Sequence, residues 1–316
     1  MSLVVSHLKM LSDHRRLESY RQAIFQTVKK GDVVADIGTG TGVLAVFAVQ
    51  AGAKKVYAVE ISPIIDVAKK TAKENGCFDS IEFIQKESKN VDFAEPINLI
   101  VTETIGALGI DERIVDILSD VRKRFLDERG RIIPASLSLL AAPVSFTEGH
   151  PFRFLDRSFH GIQTQNLKRL AVNNIYGLKT DSLDQTRLVS KPTKIFEAHF
   201  YSCEPIRFPL HMDGSFEIFD ESILDGIMVF PEIGLTDEIT LSLWEEDHFL
   251  PTHWDVSFFP MSEEIMTHRN DIVSFRLTFT EKNGLIWQVG VEGEKQKKVL
   301  TQLSTFGLPS LRHLMP

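Results

Sequence analysis

Cysteine is nearly missing from this chain of 316 residues: Cys77 and Cys203 are the two present. That is too few for a disulfide framework or a cysteine-rich metal cluster, and it suits a reducing, cytoplasmic setting. No apolar run approaches the roughly 18 residues that cross a bilayer, and the segment from Met1 to Leu11 lacks the apolar centre of a signal peptide, so neither membrane insertion nor export is expected. Basic residues are also in deficit, with 35 Lys and Arg against 43 Asp and Glu, a net charge of -8. Such a balance disfavours broad binding to nucleic-acid phosphates and favours cationic partners. The basic groups that exist, such as Arg122-Lys123-Arg124, have no interleaved aromatics for stacking bases and read as solvated faces. No Cys/His spacing asks for a metal, and none is expected.

What remains is the composition of an ordinary folded protein, 43% hydrophobic and 25% charged, with length for about two domains. From Asp32 to Pro134, short apolar runs alternate with helical stretches. The runs Val33 to Ile37, Val56 to Val59, Ile81 to Ile84, Ile97 to Val101 and Arg131 to Ile133 read as parallel strands, separated by helices over Gly42 to Ala51, Pro63 to Glu74 and Asp111 to Leu126. After Pro143 the texture becomes aromatic and β-branched with period two, as in Ile195 to Phe200, Ile239 to Trp244 and Val273 to Phe279, which predicts antiparallel strands. Asn283-Gly284 fits a two-residue hairpin turn. The segment from Pro151 to Tyr176, with Phe152, Phe154, Leu155, Phe159, Leu167 and Leu170, lacks strand alternation and predicts a helical arm. The expected architecture is α/β plus β: a Rossmann-like domain over 1–143 and an antiparallel β-sandwich or barrel over 144–316, with the arm near 151–177.

Candidate chemistry gathers at strand ends. The first strand runs into Asp36-Ile37-Gly38-Thr39-Gly40-Thr41-Gly42, a glycine turn that lets a ligand approach the backbone ahead of a helix N-terminus. Its third glycine comes one residue early for a dinucleotide fingerprint, and Asp36 is a poor neighbour for pyrophosphate but a good one for an ammonium. Glu60, closing the second strand, is placed for ribose hydroxyls, with a solvent-facing strand-end charge as its plainer reading. These features favour S-adenosylmethionine over NAD. After the fourth strand comes Thr102-Glu103-Thr104-Ile105-Gly106-Ala107-Leu108-Gly109-Ile110-Asp111-Glu112. Glu103 belongs at the ligand edge of the sheet, and a glycine-bearing loop can return Glu112 beside it, so that two carboxylates clamp one guanidinium. Glu112 equally suits the first turn of a helix.

The paired glutamates, the glycine turn with Glu60, the segment His7 to Asp13 with Arg16, Tyr20 and Arg21, and the distant Thr252-His253-Trp254 resemble the protein arginine methyltransferase family. Asn174-Ile175-Tyr176-Gly177 looks like the end of that family's dimerisation arm. The resemblance implies that S-adenosylmethionine is held by His7, Arg16, Asp36, Gly38, Gly40, Gly42, Glu60 and Ser88, with Arg16 on the methionine carboxylate. It implies that Glu103 and Glu112 hold the substrate guanidinium, that Met10 and Trp254 wall the slot, and that Asp13 pairs with His253, which takes the released proton. A cationic protein substrate and a homodimer follow. His253 and Trp254 also read as ordinary packed core residues. Where the family carries an aromatic pair in the glutamate loop, this chain has Thr104 and Ala107, and at the adenine position it has Ser88-Lys89. An acceptor other than arginine, or a cofactor-binding scaffold without turnover, therefore stays open.

Overall fold

The computed structural model describes residues 3–156, 158, 160–280, 284–294, 296–304 and 312–313. It divides into two compact units. The first comprises Met1–Leu137, Ala198–Pro205 and Glu232–Ser242, and the second comprises Ser138–Glu197, Ile206–Pro231 and Leu243–Pro316. The division cuts through strands, first between Leu137 and Ser138, ahead of the change of texture at Pro143. No described helix is long and apolar enough to cross a membrane.

The first unit opens with α1 (Leu3–Ser12) and α2 (His14–Thr27), then alternates β1 (Val33–Ile37), α3 (Val43–Gln50), β2 (Lys55–Glu60), α4 (Ile65–Glu74), β3 (Ile81–Gln85), β4 (Ile97–Thr102), α5 (Ile114–Phe125) and β5 (Leu126–Ile133). The strands form one sheet in the order β3-β2-β1-β4-β5, all pairings parallel. β1 is buried at every position and α3 is almost wholly apolar, as a strand covered on both faces and its covering helix require. The connections run outward in opposite directions from β1 and β4. This switch point opens a crevice at the carboxyl ends of those two strands, where the glycine turn and the glutamate loop emerge. β5 starts earlier than its apolar residues suggest, because Asp127-Glu128-Arg129 is an exposed strand end with no hydrophobic signal. α5 starts later than expected, at Ile114, for a reason that lies in the glutamate loop.

The second unit is β-barrel-like, its strands pairing antiparallel apart from one parallel pair, Tyr176–Lys179 with Arg312–His313. After β6 (Ser136–Phe146) come α6 (Gln165–Val172), β7 (Tyr176–Lys179), β8 (Thr186–Leu188), β9 (Thr193–His199), β10 (Leu210–Glu217) and β11 (Ser222–Gly234), whose last residues, with β12 (Thr240–Ser242), count with the first unit. The short pair β13 (Trp244–Glu245) and β14 (His248–Phe249) precedes β15 (Asp255–Thr267), β16 (Ile272–Phe279), β17 (Leu285–Gly293), β18 (Gln296–Leu303) and β19 (Arg312–His313). A four-stranded sheet, β10-β16-β17-β18, accompanies the larger sheet β19-β7-β15-β11-β6-β8. Phe259 of β15 packs edge-on against Phe275 and the fully buried Trp287, with ring centroids 5.7 and 5.6 Å apart. The expected arm is a short 3-10 turn, Arg153–Asp156, followed by α6. Of its apolar residues, Phe159 lies outside the described residues. The β16–β17 hairpin exists, but its turn is not the two-residue Asn-Gly form. Phe279 pairs with Leu285, and Thr280 N–H donates to the Gly284 carbonyl at 2.9 Å, so a longer loop joins the strands. Asn283 itself lies outside the described residues.

Gly42 ends the glycine turn in the left-handed region, φ 84°, and a Cβ there would come within 2.9 Å of the Ala68 Cβ on α4. Gly76 after α4 has φ 68° but open space around it. Gly76→Ala is therefore expected to cost only the left-handed strain, about 1–2 kcal/mol, and Gly42→Ala more than that, because strain and overpacking combine. Urea unfolding of both variants measures the difference, and equal losses would dismiss the helix contact.

Candidate functional site

The glycine turn is organised by carboxylates. Asp36, 1% exposed at the end of β1, receives the Thr39 hydroxyl on Oδ2 at 2.6 Å, while its Oδ1 has no hydrogen-bond partner. Burial pushes this carboxyl up to about 7, against the pull of the Thr39 and Ala45 contacts. Glu60 closes β2 and accepts the Gly40 N–H at 3.1 Å and the Ser62 N–H at 2.8 Å, which fixes it beside the turn. A Cβ on Gly40 would stand 2.9 Å from the His7 ring, so α1 lays His7 against the same loop. Burial lowers the His7 pKa, with Glu60 opposing. Gly38 faces the glutamate loop: its added Cβ would meet Thr104 Cγ2 at 2.7 Å.

Arg16 and Glu103 form the centre. Asp13 caps α2 by accepting the Arg16 N–H at 2.9 Å. From there the Arg16 guanidinium reaches Glu103 Oε2 at 2.9 Å through Nη1 and the Met10 carbonyl at 2.9 Å through Nη2, leaving Nε buried without a partner. Both side chains are almost closed to solvent, at 6% and 8% exposure. Burial holds the Glu103 carboxyl up at about 8; Arg16 lowers it, and Glu112 and Asp13 raise it further. The field of Glu112 at Glu103 brings the two glutamates into one electrostatic neighbourhood.

The loop between them is folded by Asp111. Its Oδ1 accepts the Leu108 N–H at 3.1 Å, and a Cβ on Gly106 would fall 2.1 Å from that oxygen, so the glycine is what allows the fold-back. Gly109 and Arg113 take positive φ, 69° and 66°. This corrects the reading of Asp111 and Glu112 as the opening turn of α5: Asp111 bonds backward into the loop and the helix waits until Ile114. Glu112 is exposed at the loop surface, yet crowding by protein around its carboxyl, with Asp111 beside it, brings it to about 7.

Sequence reasoning overlooked two contributors. Thr39 supplies the hydroxyl on Asp36, and Asp111 supplies the loop clasp; the signal for the latter was a carboxylate following two glycines. Ser88 begins a 3-10 turn after β3 and its carbonyl accepts from Arg124 at 2.9 Å, while neighbouring Lys89 pairs with Glu87. His253 and Trp254 belong to the second unit, just before β15, with ring centroids 4.3 Å apart and Trp254 only 4% exposed. No group of His, Cys, Asp and Glu among the described residues could hold a metal ion.

Among the described residues of the first unit, the buried atoms without partners include an acceptor at the glycine turn, Asp36 Oδ1, and a donor on α2, Arg16 Nε. They match the ammonium and carboxylate of an amino-acid moiety, and the glycine turn beside them admits a nucleoside. Because folding raises the Asp36 pKa from about 4 to about 7, the stability of the neutral form is full below about pH 4 and is lost as pH rises through 7. The ligand-free protein is expected to lose melting temperature between about pH 4 and pH 7, and Asp36→Asn to flatten that loss by roughly 2–4 °C. Parallel curves for the two proteins would mean that Asp36 is ionised without penalty.

Two family models match. One is described as ribosomal protein L11 methyltransferase, over residues 15–136, and the other as arginine methyltransferase oligomerization subdomain, over residues 138–288. Among curated relatives, the probable protein arginine N-methyltransferase 6 of Arabidopsis thaliana is 36% identical over 172 residues, 52% of this chain and 39% of its own length. That of Danio rerio is 40% identical over 144 residues, 45% of this chain and 41% of its own, so both matches span less than half of those relatives. Protein arginine N-methyltransferase 6 of Xenopus laevis is 26% identical over 283 residues, 87% of this chain and 83% of its own. In fold, the chain is similar to the Trypanosoma brucei PRMT1 enzyme-prozyme heterotetrameric complex with AdoHcy, at a TM-score of 0.82 and 20% identity over 94% of this chain and 96% of that one. It is similar also to Arabidopsis thaliana protein arginine methyltransferase 10, at a TM-score of 0.78 and 20% identity over 96% and 99%. With a methyltransferase model on one part and the oligomerization model of arginine methyltransferases on the next, the chain is similar to protein arginine N-methyltransferases over most of its length.

Proposed function

We propose that the chain methylates the guanidinium of arginine in a cationic protein or peptide, with S-adenosylmethionine as its cofactor. The observation that carries this reading is a buried glutamate, Glu103, holding a guanidinium nitrogen at 2.9 Å at the switch point of the sheet, beside the unpartnered Asp36 Oδ1 and Arg16 Nε. Arg16 here makes the contact that the substrate guanidinium is proposed to make. When bound, the cofactor supplies an electrophilic methyl group.

The residues divide the remaining work. Asp36 accepts from the cofactor's ammonium, Arg16 pairs with its carboxylate and Glu60 takes the ribose hydroxyls. His7, Gly38, Gly40, Gly42 and Ser88 border it. Glu103 and Glu112 bind and orient the guanidinium; drawing positive charge to the nitrogens they hold leaves the attacking nitrogen richer in electrons. Alignment is the larger effect, because holding reactants in place supplies roughly 7–11 kcal/mol. Met10 and Trp254 are assigned to substrate binding, and Asp13 and His253 to handling the proton that nitrogen sheds. Self-association is proposed through the arm, where Phe154, Ile162, Leu167 and Leu170 are exposed at 56, 67, 54 and 45%. A cytoplasmic location fits two cysteines that are both unpaired.

A second reading, transfer to a different nitrogen or oxygen acceptor, is favoured by Thr104 and Ala107. Thr104 turns onto Gly38 and Thr102 and supplies no flat surface for a cation. Peptide arrays with labelled cofactor and residue mapping separate the two: label on arginine is expected, label elsewhere establishes the second reading, and none with cofactor bound indicates a scaffold. Glu103→Gln is expected to lower turnover about 10²–10³-fold with cofactor binding retained, and unchanged turnover would remove Glu103 from the chemistry. Because the clamp works ionised and burial raises both glutamates, to about 8 and about 7, kcat/KM should climb with pH across that window. A flat profile would mean that neither titrates in the free enzyme.

A further inference from the structure

The second unit holds a cavity of about 420 Å³ that the methyl-transfer reading does not use. Its walls come from the end of β6 and the turn after it, from β8, and from β11 and β15. The charged residues lining it are Glu148, Arg153, Arg187, Asp225 and Glu264, and Phe146 and Ile223 add an apolar wall.

Asp225 is the unusual member. It is fully buried, and it sits where the β11–β15 register shifts, between Leu224 and Gly226. A bulge of this kind re-aims a side chain that regular pairing would direct elsewhere. One carboxylate oxygen, Oδ2, accepts the Phe146 N–H at 2.7 Å, while Oδ1 has no partner. An acceptor so placed costs free energy unless a donor reaches it. Burial first, and then Glu264, raise the Asp225 carboxyl to about 6; the Phe146 N–H and Arg153 pull the other way.

Opposite charge lines the same space. Arg153 and Arg187 are exposed, and neither forms an ion pair with a described residue; Arg187 donates to the Ser222 hydroxyl. Arg153 lies against Gly149, φ 87°, where a Cβ would come within 2.9 Å of its Nη1. The cavity therefore offers an unsatisfied acceptor in its wall and two unpaired guanidiniums around it.

We propose that this cavity is a binding site for a small zwitterion of the amino-acid class, its ammonium on Asp225 and its carboxylate on Arg153 and Arg187. A purely cationic ligand would leave the arginines unpaired, and a purely anionic one would leave Asp225 Oδ1 unsatisfied. The proposal stands apart from the methyl-transfer reading, because every residue in it belongs to the second unit.

Calorimetric titration of the full chain, saturated with S-adenosylhomocysteine to fill the amino-acid subsite of the first unit, tests it with three probes of one carbon skeleton: L-leucine, L-leucinamide and 4-methylpentanoate. Leucine is expected to bind at millimolar concentration or below, and each half-charged analogue at least roughly tenfold more weakly, a loss of about 1.4 kcal/mol. Asp225→Asn keeps an acceptor for the Phe146 N–H, and Arg153→Ala removes only an exposed side chain; each should weaken leucine roughly tenfold while melting as the parent does. No binding of leucine, with only water in the cavity, would overturn the proposal. Leucinamide binding as well as leucine, or affinity indifferent to both substitutions, would overturn it too.

Discussion

A buried ion pair, Arg16 with Glu103, ties the N-terminal helices to the edge of the central sheet. Taking either charge out of water costs several kcal/mol, and only a close contact with further hydrogen bonds offsets it. The structure supplies those partly. The Met10 carbonyl takes one guanidinium nitrogen, but Nε remains without an acceptor, and Glu103 stays far above the usual carboxylate range. The pair is thus held in place by packing and is less than fully satisfied, the condition in which a ligand with its own charges can join it.

Around that pair, geometry is set by residues without charge. Left-handed glycines turn the chain between β1 and α3 so tightly that Ala68, His7 and Thr104 each stand where a side chain on Gly42, Gly40 or Gly38 would be. In the glutamate loop the same device works at Gly106, whose missing side chain admits Asp111 and so returns Glu112 toward Glu103. Backbone freedom at a few positions converts two distant strand ends into one crevice, as a doubly wound sheet allows at its switch point.

The second unit solves a different problem with different means. Its aromatic core, with Phe259, Phe275 and Trp287 edge to face, is an ordinary apolar interior, and charge enters it at Asp225, where the strand pairing is irregular. A regular strand would have placed an apolar side chain at an inward position. The bulge and the buried acid occur together, as expected when local irregularity serves a ligand more than the fold.

Much was legible in the sequence because it was local. The apolar runs gave all five parallel strands to within a few residues, and the run Val33 to Ile37 coincides with β1. The spacing of glycines after Asp36 announced the turn, and the glycine-bearing loop pointed to two glutamates in one electrostatic neighbourhood, where the field of Glu112 raises Glu103. The polar start of β5 and the length of the β16–β17 turn escaped, since exposed strand ends carry no hydrophobic period and a dipeptide does not fix a register. Three features belonged to the folded structure alone: the pairing of Arg16 with Glu103, the fold-back of Asp111 that delays α5, and the unsatisfied oxygens of Asp36 and Asp225. The pairing and the unsatisfied oxygens depend on which groups burial leaves without water and without partners, settled by contacts between segments far apart in the chain, whereas the Asp111 contact is local and turns on backbone geometry that a sequence pattern does not fix.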